Sequence, residues 1–438
     1  MRDLMFASFM VLALPLAFMR PLNAYLLWGW TGMLIPTSYF YGFMADARLN
    51  FFFALITLSL IVLGKVKITN YQNNRVTWFY LLFIAHCTLS FAFGYSNNPL
   101  NAQYFEVVVK LMIFVLVMPL FVRERQHFHA VFIIIALGLG LHGVMDGLKT
   151  IASAGGHNMA GVPGSMMNDR NHLSTALVLS LPVSYYLALY SRARVVRFGF
   201  WMLLITTAIA VLGGGSRGGF LAISVLGIWF IVTSRHKVLA ISLGLSAVLA
   251  FSMLAPERWT DRISTVQEAQ SDKSFIGRVI AWRVSTAIAL ENPVFGGGFH
   301  AVQTYPVWET FKASPGLLGF LDLPVPEFAP KAAHSIYFEL LGDLGFVGLS
   351  IFLTFISYAL WNRWKICKQI GTSNPQLLWA RDMADMLFLA IISFLVGGSA
   401  VSLAYFEVIY MFVMLMELLR IHVEQSIPKR QQPKARND

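Results

Sequence analysis

PERWTDRI at 256–263, SFIGRVIAWRVSTAIALENPVFGGGFH at 274–300 and AAHSIYFELLGDLGFVGL at 332–349 form the stretch on which the reading of this chain turns. They bound the one long segment between two hydrophobic blocks that is not itself apolar. Nearly everything on either side reads as membrane-spanning helix, so a polar loop of this length, bearing Arg, Trp and Pro, stands out. It reads as the roof over a site at a membrane surface.

Composition supports the membrane. Of 438 residues, 57% are hydrophobic and 13% charged, about half the charged fraction of an ordinary soluble domain, which is roughly 25%. A span needs about 20 mostly apolar residues, and the chain offers twelve or thirteen such runs. A soluble enzyme is excluded. The net charge of +11 does not point to nucleic acid. Lys and Arg collect in cytoplasmic loops because translocating them is unfavourable. ERQHFH (124–129), SRARVVR (191–197), SRHK (234–237), NRWKICKQ (362–369) and the tail PKRQQPKARND (428–438) hold much of the excess. Two cysteines, Cys87 and Cys367, make no disulfide framework. The apolar N-terminus lacks a small-x-small cleavage site and reads as the first helix.

The expected spans are 4–19, 22–43, 51–64, 76–95, 102–122, 128–148, 172–190, 198–212, 220–233 and 238–254. After the loop follow 336–361, 377–397 and 401–421. The fold class is an all-α polytopic membrane protein of about 12 helices with one large outer loop containing amphipathic helices. Its parts are a bundle (1–254), a loop with interfacial helices (255–333), C-terminal spans (334–421) and a basic tail (422–438). Placing the basic loops in the cytoplasm puts 149–171, 213–219 and 255–333 outside. No internal repeat is evident, which weakens a transporter reading.

Three outer features carry possible chemistry. In LGGGSRGGF (212–220), five glycines flank Ser216 and Arg217. Glycine permits close backbone approach and N–H groups aimed at an anion, and the helix start beyond favours negative charge. A tight turn with a snorkelling Arg fits equally. In 275–290, Phe275, Val279, Trp282 and Thr286 follow helical spacing, as in a helix lying in the interface plane. There Arg278 and Trp282, at i and i+4, are placed for a cation–π contact, or the arginines simply meet lipid phosphates. Third, His334 opens a span after Pro324, Pro326 and Pro330, with Glu339 and Asp343 following. A neutral imidazole there is a usable general base, or a histidine that merely starts a helix. Asn168, Asp169, Arg170, Asn171 and His172 read as an N-cap cluster or as a further polar wall. No metal-ligand spacing, P-loop or dinucleotide fingerprint occurs.

On these motifs the chain resembles the O-antigen ligase and O-antigen polymerase superfamily of bacterial envelope glycosyltransferases. The likeness lies in the SRGG turn at Arg217, the GR-x3-W segment at 277–282, the GGGF-H run and AHSIYFELLGDLGFVGL. RPLNAYLLWGW (20–30) is similar to the ligase branch. The resemblance implies a GT-C-like, inverting, metal-independent enzyme of the bacterial inner membrane, with no cofactor and its site on the periplasmic face. Its donor would be a glycan on undecaprenyl diphosphate and its acceptor the lipid A core, both reached among membrane lipids. Arg217 and Arg278 would grip the diphosphate, and His334 would activate the acceptor hydroxyl. Arg170, Ser216, Trp282, Glu339 and Asp343 would be accessory, with Glu339 or Asp343 as orienting group or alternative base. The family's His-Asn is His-Ser here, which leaves the orientation of the imidazole open. Polymerase, protein O-oligosaccharyltransferase and, more distantly, flippase readings share the donor. The enzymatic reading requires Arg217, Arg278 and His334 to meet in one cavity.

Overall fold

The computed structural model describes residues 2–233, 242, 273–321, 323–371 and 374–427. The expected span 238–254, the PERWTDRI segment and 428–438 of the tail lie outside the described residues.

Fourteen α-helices occur among the described residues, and no strand. They are α1 (Arg2–Met19), α2 (Pro21–Leu34), α3 (Leu49–Val62), α4 (Arg75–Phe93), α5 (Pro99–Phe121), α6 (Arg125–Ala152) and α7 (Arg170–Tyr190). Then follow α8 (Arg194–Gly213), α9 (Arg217–Thr233), α10 (Lys273–Glu291), α11 (Tyr305–Phe311), α12 (Ile336–Ile370), α13 (Leu378–Gly398) and α14 (Glu407–Ser426). Seven of them, α1, α4 to α8 and α12, are long and apolar enough to cross a membrane, while α3 and α9 are shorter apolar helices. The chain is a polytopic helical membrane protein.

Several elements differ from expectation for visible reasons. The second run breaks at Leu34, because Ile35 precedes Pro36 and takes a left-handed φ of 48°, the α region being disfavoured before proline. The basic NRWKICKQ stretch is not a loop but the last turns of α12. There Lys365 sits 3.7 Å from the Trp361 ring centre and Lys368 4.9 Å from that of Trp364, both at the i,i+4 spacing that stabilises a helix. The last helix begins at Glu407, leaving 399–406 as an irregular segment.

The expected interfacial helix is α10, and it does not lie half-exposed. Ile280, Ala281, Val284, Ser285 and Ile288 are fully buried, and Arg283 nearly so. Small residues on the arc that looked polar let α12 and the 301–318 segment close in around it. Arg283 donates to the carbonyls of Lys312, Leu323 and Pro324 at 2.9–3.3 Å, pinning the rest of the loop to the helix.

Helix α12 is broken at Gly345 (φ 68°, ψ −171°), a conformation open essentially to glycine alone. The carbonyls released there find new donors. Gly297 N–H bonds Gly342 O at 2.8 Å, Gly298 N–H bonds Asp343 O at 2.9 Å, and His86 Nε2 bonds Leu344 O at 2.9 Å. A broken helix is tolerated at membrane depth only when its backbone is re-satisfied in this way. The GGGF turn and the GDLGFVG motif are therefore two halves of one joint.

The basic helix ends gather at one end of the bundle. Arg125 lies over the rings of Tyr190 and Trp379, His422 Nδ1 bonds Arg123 O, and Arg363 pairs with Asp385. The first turns of α7, α9 and α12 lie at the other end.

Candidate active site

The floor of that other end is the segment 397–404. Gly397 backs onto Gly218 of α9, with 3.2 Å between the site of a Gly218 Cβ and Gly397 O. Gly398 has no room for a side chain because Ile336 of α12 fills it. Ser402 O lies 2.7 Å from His172 Nε2 of α7, and Ala404 N–H donates to Glu339 Oε2 at 2.9 Å. Three helix starts far apart in sequence are thus tied to one strap.

Helix α7 is capped by Asp169, whose Oδ1 accepts from the amides of Asn171 (2.6 Å) and His172 (2.9 Å). Its other oxygen lies 2.7 Å from His172 Nδ1. Burial pushes this carboxyl up, but the imidazole and the two amides outweigh it and hold it at about 2. The 168–172 cluster is thus an N-cap, one of its two expected readings. Arg170, the first residue of α7, is half-buried and makes no ion pair among the described residues.

His334 stands just before α12 with φ 45°, strained for a non-glycine residue. It is half-buried, and its Nδ1 is enclosed without a hydrogen-bond partner. Burial first, then the charges of Arg278, His172 and Lys331, push its pKa down to about 4, against a smaller opposing pull from Asp169. The imidazole is neutral at ordinary pH. Trp282 fixes the approach to it, donating from Nε1 to Ala333 O at 2.6 Å and stacking on Phe338 with centroids 5.0 Å apart. Phe338 is thus a stacking partner of Trp282.

Lys331 was not singled out by sequence. Its side chain lies across α10 where Gly277 has no Cβ, with Cδ and Nζ 2.9 and 3.0 Å from where one would sit. The ammonium is 4.7 Å from the Phe328 ring centre and has no ion-pair partner among the described residues. Gly277 of the GR-x3-W motif thus admits a second cation beside Arg278. A lysine three residues before a loop histidine, with no acid nearby but Glu327, was the available signal.

The remaining expected residues have structural duties. Ser216 is buried at the start of α9, where its Oγ accepts from Gly219 N–H at 3.1 Å. It is a cap rather than a site hydroxyl. Gly218 and Gly219 serve close packing, since a Cβ on Gly219 would come within 2.7 Å of Ser174 Cβ. Glu339 is spent on the strap. Asp343 is buried, accepts from Tyr405 Oη at 3.1 Å and from the amides of His300 and Ala301, and locks the joint from inside. Arg217 is exposed as the first residue of α9, the helix packed on the α7 turn that carries His172.

Arg278, Lys331, His172 and Asp169 thus act on the charge of His334, while Arg217 stands on the neighbouring helix start. The one cavity that the sequence reading required of Arg217, Arg278 and His334 is not the cavity of about 740 Å3 that opens on the far side of the strap, which none of the three lines. Among the described residues no three His, Cys, Asp or Glu side chains gather as a metal site.

Two family matches divide the chain. Residues 1–192 match a family described only as one of unknown function. Residues 201–353 match the family described as O-antigen ligase, which assigns the stretch from α8 into the first half of α12 to the O-antigen ligase superfamily. No curated protein matches the chain.

Proposed function

With residues 201–353 in the O-antigen ligase superfamily as premise, we propose that the chain transfers a glycan from undecaprenyl diphosphate to the lipid A core on the periplasmic face of the inner membrane. What supports this reading is a half-buried imidazole at the start of α12, its Nδ1 enclosed without a hydrogen-bond partner and its charge opposed by burial and by nearby cations. His334 has a pKa of about 4, and Arg278 and Lys331 depress it. Such a cluster suits an anionic substrate and supplies an uncharged base next to it.

In this reading the acceptor hydroxyl attacks the anomeric carbon from the face opposite the diphosphate. The new C–O bond forms as the bond from the anomeric carbon to the phosphate oxygen breaks, and the electron pair leaves on the diphosphate. His334 takes the hydroxyl proton. Inversion follows from a single displacement. Arg278, Lys331 and Arg217 offset the charge that grows on the leaving group. A base with a pKa near 4 is weak in the empty site, but the incoming diphosphate is anionic and favours the protonated imidazole. Substrate binding thus raises the basicity that the step requires. His172, fixed between Asp169 and Ser402 O, holds the strap that carries this geometry.

The purified protein, given lipid-linked glycan and rough lipopolysaccharide without nucleotide and with EDTA, is expected to yield a ladder of extended lipopolysaccharide. Label passing to free repeat units or to a peptide instead would assign the acceptor as that of a polymerase or a protein transferase. Movement of donor across a vesicle without any transfer would replace the enzyme by a flippase.

A further inference from the structure

The 740 Å3 cavity is lined by parts of α2, α3 and α5, the turns at 35–37 and 45–48, the turn 164–167 and the start of α14. Its wall holds Glu106 and Lys110, paired at 2.5 Å on α5. They stand seven and eleven residues beyond Pro99, about 10 and 16 Å along a helix that is apolar enough to span the membrane. Ionisable residues at such depth are rare, pair with one another and mark a polar pathway. Both side chains are more than half exposed and line the cavity. Glu407 adds a carboxylate without an ion-pair partner among the described residues, and Asp46, Arg48 and Asn50 stand at the rim.

We propose that this cavity binds the hydroxylated carbohydrate headgroup of the acceptor lipid, a proposal that rests on the transferase reading above. Carboxylates and cations alternate on its wall, which disfavours a diphosphate but suits sugar hydroxyls, since these donate to Glu106 and Glu407 and accept from Lys110 and Arg48. Trp28, Phe114 and Phe406 supply apolar faces for sugar C–H groups. The location fits as well. Met167 on its wall is two residues from Asp169, and Phe406 is two residues from Ala404 of the strap. An acceptor held there presents its sugar to the His334 cluster across the strap, while the donor sits with Arg278 and Lys331. Most of the wall comes from residues 28–167, inside the family match of unknown function and outside the O-antigen ligase match. Acceptor choice is then housed in the N-terminal half and leaving-group chemistry in the second.

The test is binding of two probes in nanodiscs, lipid A carrying its core oligosaccharide and the undecaprenyl diphosphate-linked glycan. Wild type, E106Q/K110M and Gly32→Leu are compared. The added Leu side chain meets Asn50 at the cavity wall and fills space, whereas the double variant removes the charges without leaving one unpaired. Both variants are expected to weaken lipid A core binding at least about tenfold, or 1.4 kcal/mol, with donor binding changed less than about twofold. Unchanged core binding, an equal loss for the donor, or no core binding by wild type would overturn the proposal. Absence of transfer by a wild type that binds both probes would instead sink the transferase reading.

Discussion

The two ends of the bundle hold their cations differently. At the basic end several are spent on the protein. Arg363 pairs with Asp385, Arg420 with Glu417 and Glu424, and Arg125 lies over Tyr190 and Trp379. At the other end Arg278 and Lys331 both press on a neutral His334, and the one carboxylate in the group, Asp169, is committed to His172 and the α7 amides. Cations gathered beside a neutral base favour an anion arriving there. One end orients and braces the chain. In the proposed function the other receives the anionic donor.

The sharpest way to break this contrast is His334→Ala. General-base removal costs 10²–10⁴-fold, so single-turnover transfer should fall about 10³-fold while the protein still elutes as a folded species. In wild type the sign of the pH effect is fixed by the depressed pKa. The base form persists from neutral pH down to about 4, so kcat/KM should stay level through pH 6.5 and fall only as pH drops through about 4. A limb near 6.5 in the donor-free enzyme would mean that the cations do not act on His334.

Next in size is Arg283→Met, which asks whether every cation at the site end serves a ligand. Arg283 does not, because its guanidinium holds the carbonyls of Lys312, Leu323 and Pro324. Removal leaves buried acceptors, each costing about 1–3 kcal/mol, so a loss of roughly 3 kcal/mol is expected. Thermal unfolding in detergent and faster proteolysis within 312–324 would report it.

How much of this was legible can be judged residue by residue. The helices were, since apolar runs of span length have few alternatives; of the three residues expected together, Arg278 acts on the charge of His334 while Arg217 stands on the neighbouring helix start. The setting of α10 was not. Ala281, Ser285 and Ala289 look neutral in a sequence, yet their smallness is what lets neighbours bury the arc that a helical wheel shows as polar. The glycines of 212–220 suggested an anion cradle, and two of them answer instead to Ser174 and Gly397, contacts across helices that no local pattern encodes. Glu339 and Asp343 looked available for chemistry because their partners, Ala404 and Tyr405, lie over sixty residues away. Lys331 was hidden for the same reason, its relevance resting on the missing Cβ of Gly277.

Lys331→Met sharpens the comparison from the site side. Removing one of two cations near the diphosphate should raise the donor KM about tenfold, within the range of a charge-assisted contact. The same substitution relieves His334, so the acid limb of kcat/KM should move up from about 4. Lys331→Arg should restore the limb, because it restores the charge. A purely structural lysine would leave the limb in place in both variants.

The smallest effect belongs to the basic end. In Arg363→Met/Asp385→Asn the pair held at 2.7 Å is removed whole, leaving no uncompensated charge. Partly exposed pairs contribute about 0.2–1 kcal/mol, and the methionine keeps an apolar stem against Phe388, whose ring centre lies 5.0 Å from the guanidinium carbon. Unfolding should shift by less than about 1 kcal/mol, and transfer should stay within about twofold of wild type. A large loss of transfer here would join the two ends into one working unit, through the α13 backbone that runs from Asp385 to Gly398 beside Ile336. The division between a bracing end and a reacting end would then be wrong.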